Sequence, residues 1–207
     1  LEGVAAVIFD EFHERRSDAD LALALLREAR PLLNPQLRLL VMSATLNLQP
    51  LSRQLPEAVV LSSEGRSHPV ELHHQPPRER EPLGVQVVRA LEDHWLQEED
   101  EGGAGTALVF LPGQREIRQA LRAIEATGWG QRAELHRLHG GLSLEAQGRA
   151  IAAGRHPAGK VVLTTAIAES SLTIEGVRLV VDSGLSRRSR FDPRTGMDGL
   201  ITLPASQ

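Results

Sequence analysis

Neither cysteine nor tyrosine occurs in this chain of 207 residues, and its single lysine is Lys160, against 23 lysines and arginines together. Without cysteine there is no disulfide framework and no thiolate metal site. That fits a reducing compartment, so the expected location is the cytoplasm. Aromatic residues supply only 3% of the chain, so the 41% of hydrophobic residues that can build a core is mostly aliphatic. No apolar run approaches the roughly eighteen residues of a membrane span and no secretory signal is visible, so no membrane partner is expected. A net charge of −4 argues against a protein that coats nucleic acid wholesale, although it does not describe a local groove. The excess of arginine over lysine is attributed to base composition. Ser43 lacks the Gly-x-Ser-x-Gly elbow of a serine hydrolase.

What is present begins at the first strand. Residues 4–9 form a continuous apolar run, read as a strand covered on both faces in a parallel sheet, and Asp10-Glu11-Phe12-His13 follows it directly. Ligands of open α/β sheets sit beyond the carboxyl ends of the strands. There one carboxylate can hold Mg²⁺ through water while its neighbour orients an attacking water. Alone this is a weak signal. An amphipathic helix is expected over residues 18–33 with Ser17 as its N-cap, then a strand over 37–42 leading into Ser43-Ala44-Thr45. Further strands are expected over 58–61 and 69–74, on either side of a linker at 63–67, followed by a helix over 82–98. From Thr106 the alternation is regular: strand 106–111, helix 114–127, strand 134–138, helix 143–153, then strands 160–163 and 177–181. Strands alternating with helices imply βαβ units and a parallel sheet. Residues 187–191 and 200–203 can pair as a hairpin around Asp192-Pro193-Arg194-Thr195-Gly196.

These motifs, with Thr164-Thr165-Ala166-Ile167-Ala168-Glu169-Ser170-Ser171-Leu172-Thr173-Ile174 after the strand at 160–163, resemble the DEAH/RHA group of superfamily-2 helicases. Asp10–His13 looks like motif II, Ser43-Ala44-Thr45 like motif III, and Thr164–Ile174 like motif V. Phe12, where most of the group has Ala, and Phe191-Asp192-Pro193-Arg194-Thr195-Gly196 are similar to the bacterial HrpB branch. The resemblance covers the whole chain, with the motifs in family order. It implies an α/β chain holding parts of two RecA-like parallel-sheet domains, residues 1–63 and 64–207, with a β-hairpin near the C-terminus.

The resemblance also implies roles. Asp10, Glu11 and His13 are the expected catalytic set, with Asp10 toward Mg²⁺, and ATP is the expected nucleotide. Ser43 and Thr45 are expected to couple hydrolysis to domain motion. Thr173 and Glu175 are expected near the nucleotide, while Gly113, Gln114, Arg115 and Thr165 are expected on nucleic acid. The partner is a single strand, RNA in preference to DNA, with 3′-to-5′ movement and a monomeric protein. Ala166 and Ser170 depart from the group, where Asn and Thr are common, so Ala166 is left out of the expected RNA track. The arginines at 187, 188, 190 and 194 are read either as a solvated basic loop or as an RNA-contacting element. His73, His74, His136 and His139 are read as ordinary strand and turn histidines. No Gly-x-x-x-x-Gly-Lys loop is present, since Lys160 is followed by Val161-Val162. Family order places that loop before Leu1 and an arginine-rich motif VI after Gln207. The chain is therefore expected to be a central piece of a longer enzyme, inactive on ATP by itself. Two rivals stay open: an RNA-stimulated ATPase that remodels RNA–protein complexes without unwinding, and a binding module that never hydrolyses ATP.

Overall fold

A computed structural model describes residues 1–43, 51, 53–63, 68–96, 105–154, 156–166 and 173–205. The chain divides into two compact units, Leu1–Glu71 and Leu72–Gln207.

In the first unit, β1 (Ala6–Phe9) pairs in parallel with β2 (Arg38–Val41), Ala6 opposite Arg38 and Phe9 opposite Val41. The crossover between them is α1 (Ser17–Leu33). Side chains alternate across a strand. Val7, Phe9, Leu39 and Val41 therefore face α1 and gather Leu23, Ala22 and Leu26 into one cluster. The opposite face differs from the sequence reading: Ile8 is 58% and Leu40 46% exposed, because no described element packs on that side. Ser17 is a second correction. It is the first helical residue, and the cap is Arg16, in extended backbone with no side-chain capping bond. Instead Arg16 turns forward to pair with Asp18 at 3.1 Å, and the acidic first turn complements the helix dipole. That pairing holds the Asp18 carboxyl below its ordinary range.

Two expected strands do not form. Residues 58–61 and 69–74 carry no strand structure, and Val59, Leu61, Val70 and Leu72 lie largely exposed. An extended apolar run becomes a strand only when it joins a ladder, and the ladders among the described residues include neither run.

The second unit is built on a four-stranded parallel sheet in the order β4 (Glu134–Leu138), β5 (Lys160–Thr164), β3 (Thr106–Phe110), β6 (Val177–Asp182). Alternation along β3 splits the core in two. Ala107 and Val109, with Leu111 just beyond, join Val161 and Leu163 against α2 (Leu83–His94) and α3 (Gln114–Glu125). Leu108 joins Val162, Leu138 and Ile174 against Ala150 of α4 (Leu144–Ile151). Helices thus cover both faces, as parallel strands require. Ser143 caps α4 by accepting from the Ala146 N–H. The chain into α2 is fastened by a two-pronged ion pair, Arg89 Nε to Glu81 Oε1 at 2.9 Å and Nη2 to Oε2 at 2.8 Å. Those donors, with the Arg78 N–H, pull the Glu81 pKa down to about 2. After β6, β7 (Leu185–Asp192) and β8 (Met197–Pro204) form the expected antiparallel hairpin, longer than the sequence alone suggested.

Candidate functional site

The first cluster lies at the carboxyl edge of β1 and β2. Chain reversal there needs Glu11 at φ 50° and Arg15 at φ 51°, both left-handed, around a single 3₁₀ turn over Phe12–Glu14. A non-glycine residue in that region costs about 1–2 kcal/mol, so something must hold it. Phe12 does so: it is buried and meets Phe9 edge-to-face at 6.1 Å, with the Arg15 guanidinium 5.6 Å over its ring. The Phe12 N–H also donates to the Met42 carbonyl at 3.1 Å, and the Met42 N–H to the Phe9 carbonyl at 2.8 Å. The turn carrying Glu11 is thereby stitched to the exit of β2, one residue before Ser43.

Within this turn Asp10 accepts the Glu11 N–H on Oδ1 at 2.8 Å, and its carboxylate is exposed. Glu11 Oε2 lies 3.4 Å from His13 Nδ1, a close approach rather than a hydrogen bond, since that nitrogen has no hydrogen-bonding partner among the described residues. The Ser43 hydroxyl is likewise buried, with no partner among the described residues. Asp10, Glu11, His13 and Ser43 are therefore brought together, while Thr45 lies outside the described residues. No group of three ligating side chains suited to a metal ion occurs among the described residues. One exposed carboxylate is nonetheless what Mg²⁺ uses when it arrives with phosphate oxygens and keeps its waters. The residues fit a cation delivered with a nucleotide.

The second cluster lies at the carboxyl edge of the four-stranded sheet, in the second unit. β3 leads into buried Leu111, Pro112 and Gly113, and α3 opens with exposed Gln114 and Arg115. Thr165 follows β5 between its two neighbours. The Leu111 N–H donates to the Thr164 carbonyl at 2.8 Å, and the Thr164 hydroxyl donates to the Thr165 carbonyl at 3.0 Å. The turn and Thr165 are thus side by side. Sequence reasoning had set His139 aside, yet it joins them from the end of β4. Its Nδ1 accepts the Gly141 N–H at 3.2 Å and lies 3.3 Å from Gln114 Nε2. Partial burial, then Arg137 and Arg118, lower its pKa and favour the neutral ring that accepting requires. The one available signal was a histidine placed where a parallel strand ends in Gly140-Gly141.

Thr173 and Glu175 lie elsewhere. The Glu175 carbonyl accepts the Thr106 hydroxyl at 3.2 Å and the Gly176 carbonyl accepts the Thr106 N–H at 2.8 Å, at the amino ends of β3 and β6. The sheet separates Glu175 from Thr165. Residues 167–172 of the motif V stretch lie outside the described residues.

A family model described as the helicase conserved C-terminal domain matches residues 86–195. Over its full length the chain is 47% identical to the ATP-dependent RNA helicase HrpB of Escherichia coli. The chain belongs to the DEAH/RHA helicase family. The crystal structure of the E. coli DEAH/RHA helicase HrpB matches it with a TM-score of 0.83 at 47% identity, over 100% of this chain and 26% of that one. The pre-mRNA-splicing factor ATP-dependent RNA helicase prp22 of Schizosaccharomyces pombe is 35% identical over 212 residues. The chain spans 25% of the HrpB protein and 18% of prp22. This family membership accounts for the mixed α/β architecture, a parallel RecA-like sheet followed by an antiparallel hairpin.

Proposed function

We propose that the whole protein is an ATP-dependent RNA helicase in which the first unit contributes to ATP hydrolysis and the second grips a single RNA strand. The observation that carries this reading is the Asp10–Glu11 turn, held in a strained conformation and tied to the strand that delivers Ser43. Backbone strain of this kind persists only where surrounding packing enforces it, and it clusters at functional sites. Asp10 would hold Mg²⁺ through water, and the cation would neutralise charge on the phosphate oxygens as it does in other phosphoryl transfers. Glu11 would orient the attacking water, with His13 beside it to couple the nucleotide site to Ser43 and motif III. Phosphate contacts from Gly113, Gln114, Arg115 and Thr165 would give affinity with little sequence preference. The nucleotide contact of Thr173 and Glu175, a role for Thr45, and 3′-to-5′ movement are proposed on the family resemblance alone.

The test is Glu11→Gln in the full-length protein. ATP turnover should fall at least a hundredfold, the order lost when a positioned general base is removed, while ATP binding persists. Turnover close to wild type would overturn the assignment. A bare labelled RNA duplex then separates unwinding from remodelling, because a remodeller hydrolyses ATP and leaves the duplex intact.

A further inference from the structure

We propose that Arg187 is a positioning residue that clamps the C-terminal hairpin onto the β3–α3 turn, so that the hairpin and the turn carrying Gln114 and Arg115 act as one body. This rests on the RNA-gripping role proposed above. Three observations converge on it. First, Arg187 and Glu116, 71 residues apart, pair across the two elements, with Nη2 at 3.5 Å from both carboxylate oxygens. The Glu116 side chain is 16% exposed and that of Arg187 31%, so the pair lies at the edge of solvent with Glu116 the more sheltered partner. Second, Glu116 stands in the first turn of α3, where the helix dipole favours an anion, and the capping position is Gly113, which has no side chain to offer.

Third, Gly113 lies against this pair. Its φ of −174° is extended backbone open to any residue, so conformation does not demand a glycine. A Cβ there would stand 2.6 Å from Arg187 Nη1, 3.0 Å from its Cζ and 3.1 Å from Glu116 Oε2, so a larger residue would make both side-chain ends shift. The guanidinium lies against the bare Cα of the turn.

The hairpin needs such a fastening. It leaves the sheet through Asp182–Leu185, where Gly184 has φ +65° and its N–H donates to Asp182 Oδ1 at 2.8 Å. Ser183 N–H to the Phe110 carbonyl and Ala205 N–H to the Gly184 carbonyl anchor only its base. Register separates the arginines. Arg188 lies opposite Ile201 and Arg190 opposite Gly199 on one face, while Arg187, opposite Thr202, lies on the other. The basic residues therefore divide into one that faces the fold and others that do not.

The test is a double-mutant cycle in the full-length protein, reading affinity for a labelled single-stranded oligouridylate and RNA-stimulated ATPase. Arg187→Ala and Glu116→Ala should each weaken RNA binding about fivefold, and the pair together no more than Arg187→Ala alone, as for residues in one contact. In Arg187→Ala, ATPase without RNA should stay unchanged, which a general folding defect would not allow. Arg187→Glu combined with Glu116→Arg should recover most of the affinity that Arg187→Glu loses. Additive losses in the first cycle, or wild-type affinity in Arg187→Ala, would overturn the clamp while leaving the helicase reading in place. A wild-type protein whose ATPase ignores RNA would overturn both.

Discussion

Glu11 pays for its position with backbone strain, and the residue next to it supplies the compensation. Phe12 is 4% exposed and packs with Phe9 and Leu23, so its ring fills the space beneath a turn that has left-handed residues at both ends. Phe12→Ala would remove that anchor and leave a void under the turn. Large-to-small changes at buried phenylalanines cost about 3–5 kcal/mol, and denaturant unfolding of the full-length protein should show a loss near the lower figure. Turnover should fall as well if Glu11 has the proposed role of orienting water, because it would then spend time outside that geometry. A stability loss with kcat intact would mean that Phe12 serves packing alone. The sequence showed Phe12 as a branch feature where most of the family has Ala. It could not show the left-handed backbone at Glu11, which arises from the pull of Phe12 inward and of the Met42 carbonyl across the sheet.

Among the elements, the βα alternation after Thr106 was legible because β3 and β5 are buried runs, and β3 and β4 each lead into a helix with one apolar face. The segments at 58–61 and 69–74 misled for the same reason, since apolar β-branched residues signal a strand without saying whether a neighbour exists. Lys160 shows a different limit. In the sequence it was only the lone lysine; in the fold it begins β5, 1% exposed, and its Nζ donates to the carbonyls of Arg149 and Ala152 at the end of α4. A cation at a helix C-terminus satisfies carbonyls that would otherwise be orphaned. Burial lowers its pKa, so the ammonium is held at some cost. A compact ammonium suits this closed space, whereas a planar guanidinium with five donors is larger and differently shaped. Lys160→Arg should therefore destabilise the protein by about 1–3 kcal/mol through overpacking, read as a lowered Tm. Unchanged stability would show that the pocket is more yielding than its burial implies. If the prediction holds, base composition explains the arginines elsewhere, and packing explains this exception.

For the molecule as a whole, the candidate site was legible as motifs in order but not as geometry. Asp10, Glu11, His13 and Ser43 gather because parallel pairing brings the carboxyl ends of β1 and β2 to one edge. The same rule gathers Gly113, Gln114, Arg115 and Thr165 and adds His139, whose one signal in the sequence was its place before Gly140-Gly141 at a strand end. Glu175 falls at the opposite edge because the chain must return across the sheet before β6 can run parallel to β3. Ser43 offers a way to separate coupling from chemistry. Its hydroxyl is buried with no partner among the described residues, so removing it discards a polar atom that gains nothing in this state. Ser43→Ala in the full-length protein should thus leave stability within about 1 kcal/mol of wild type, since an unmade hydrogen bond cannot be lost. If that hydroxyl finds its partner only in another domain arrangement, ATP turnover should persist while RNA unwinding drops severalfold. Parallel loss of both activities would place Ser43 in the hydrolytic step, and unwinding at the wild-type rate would remove it from the coupling path.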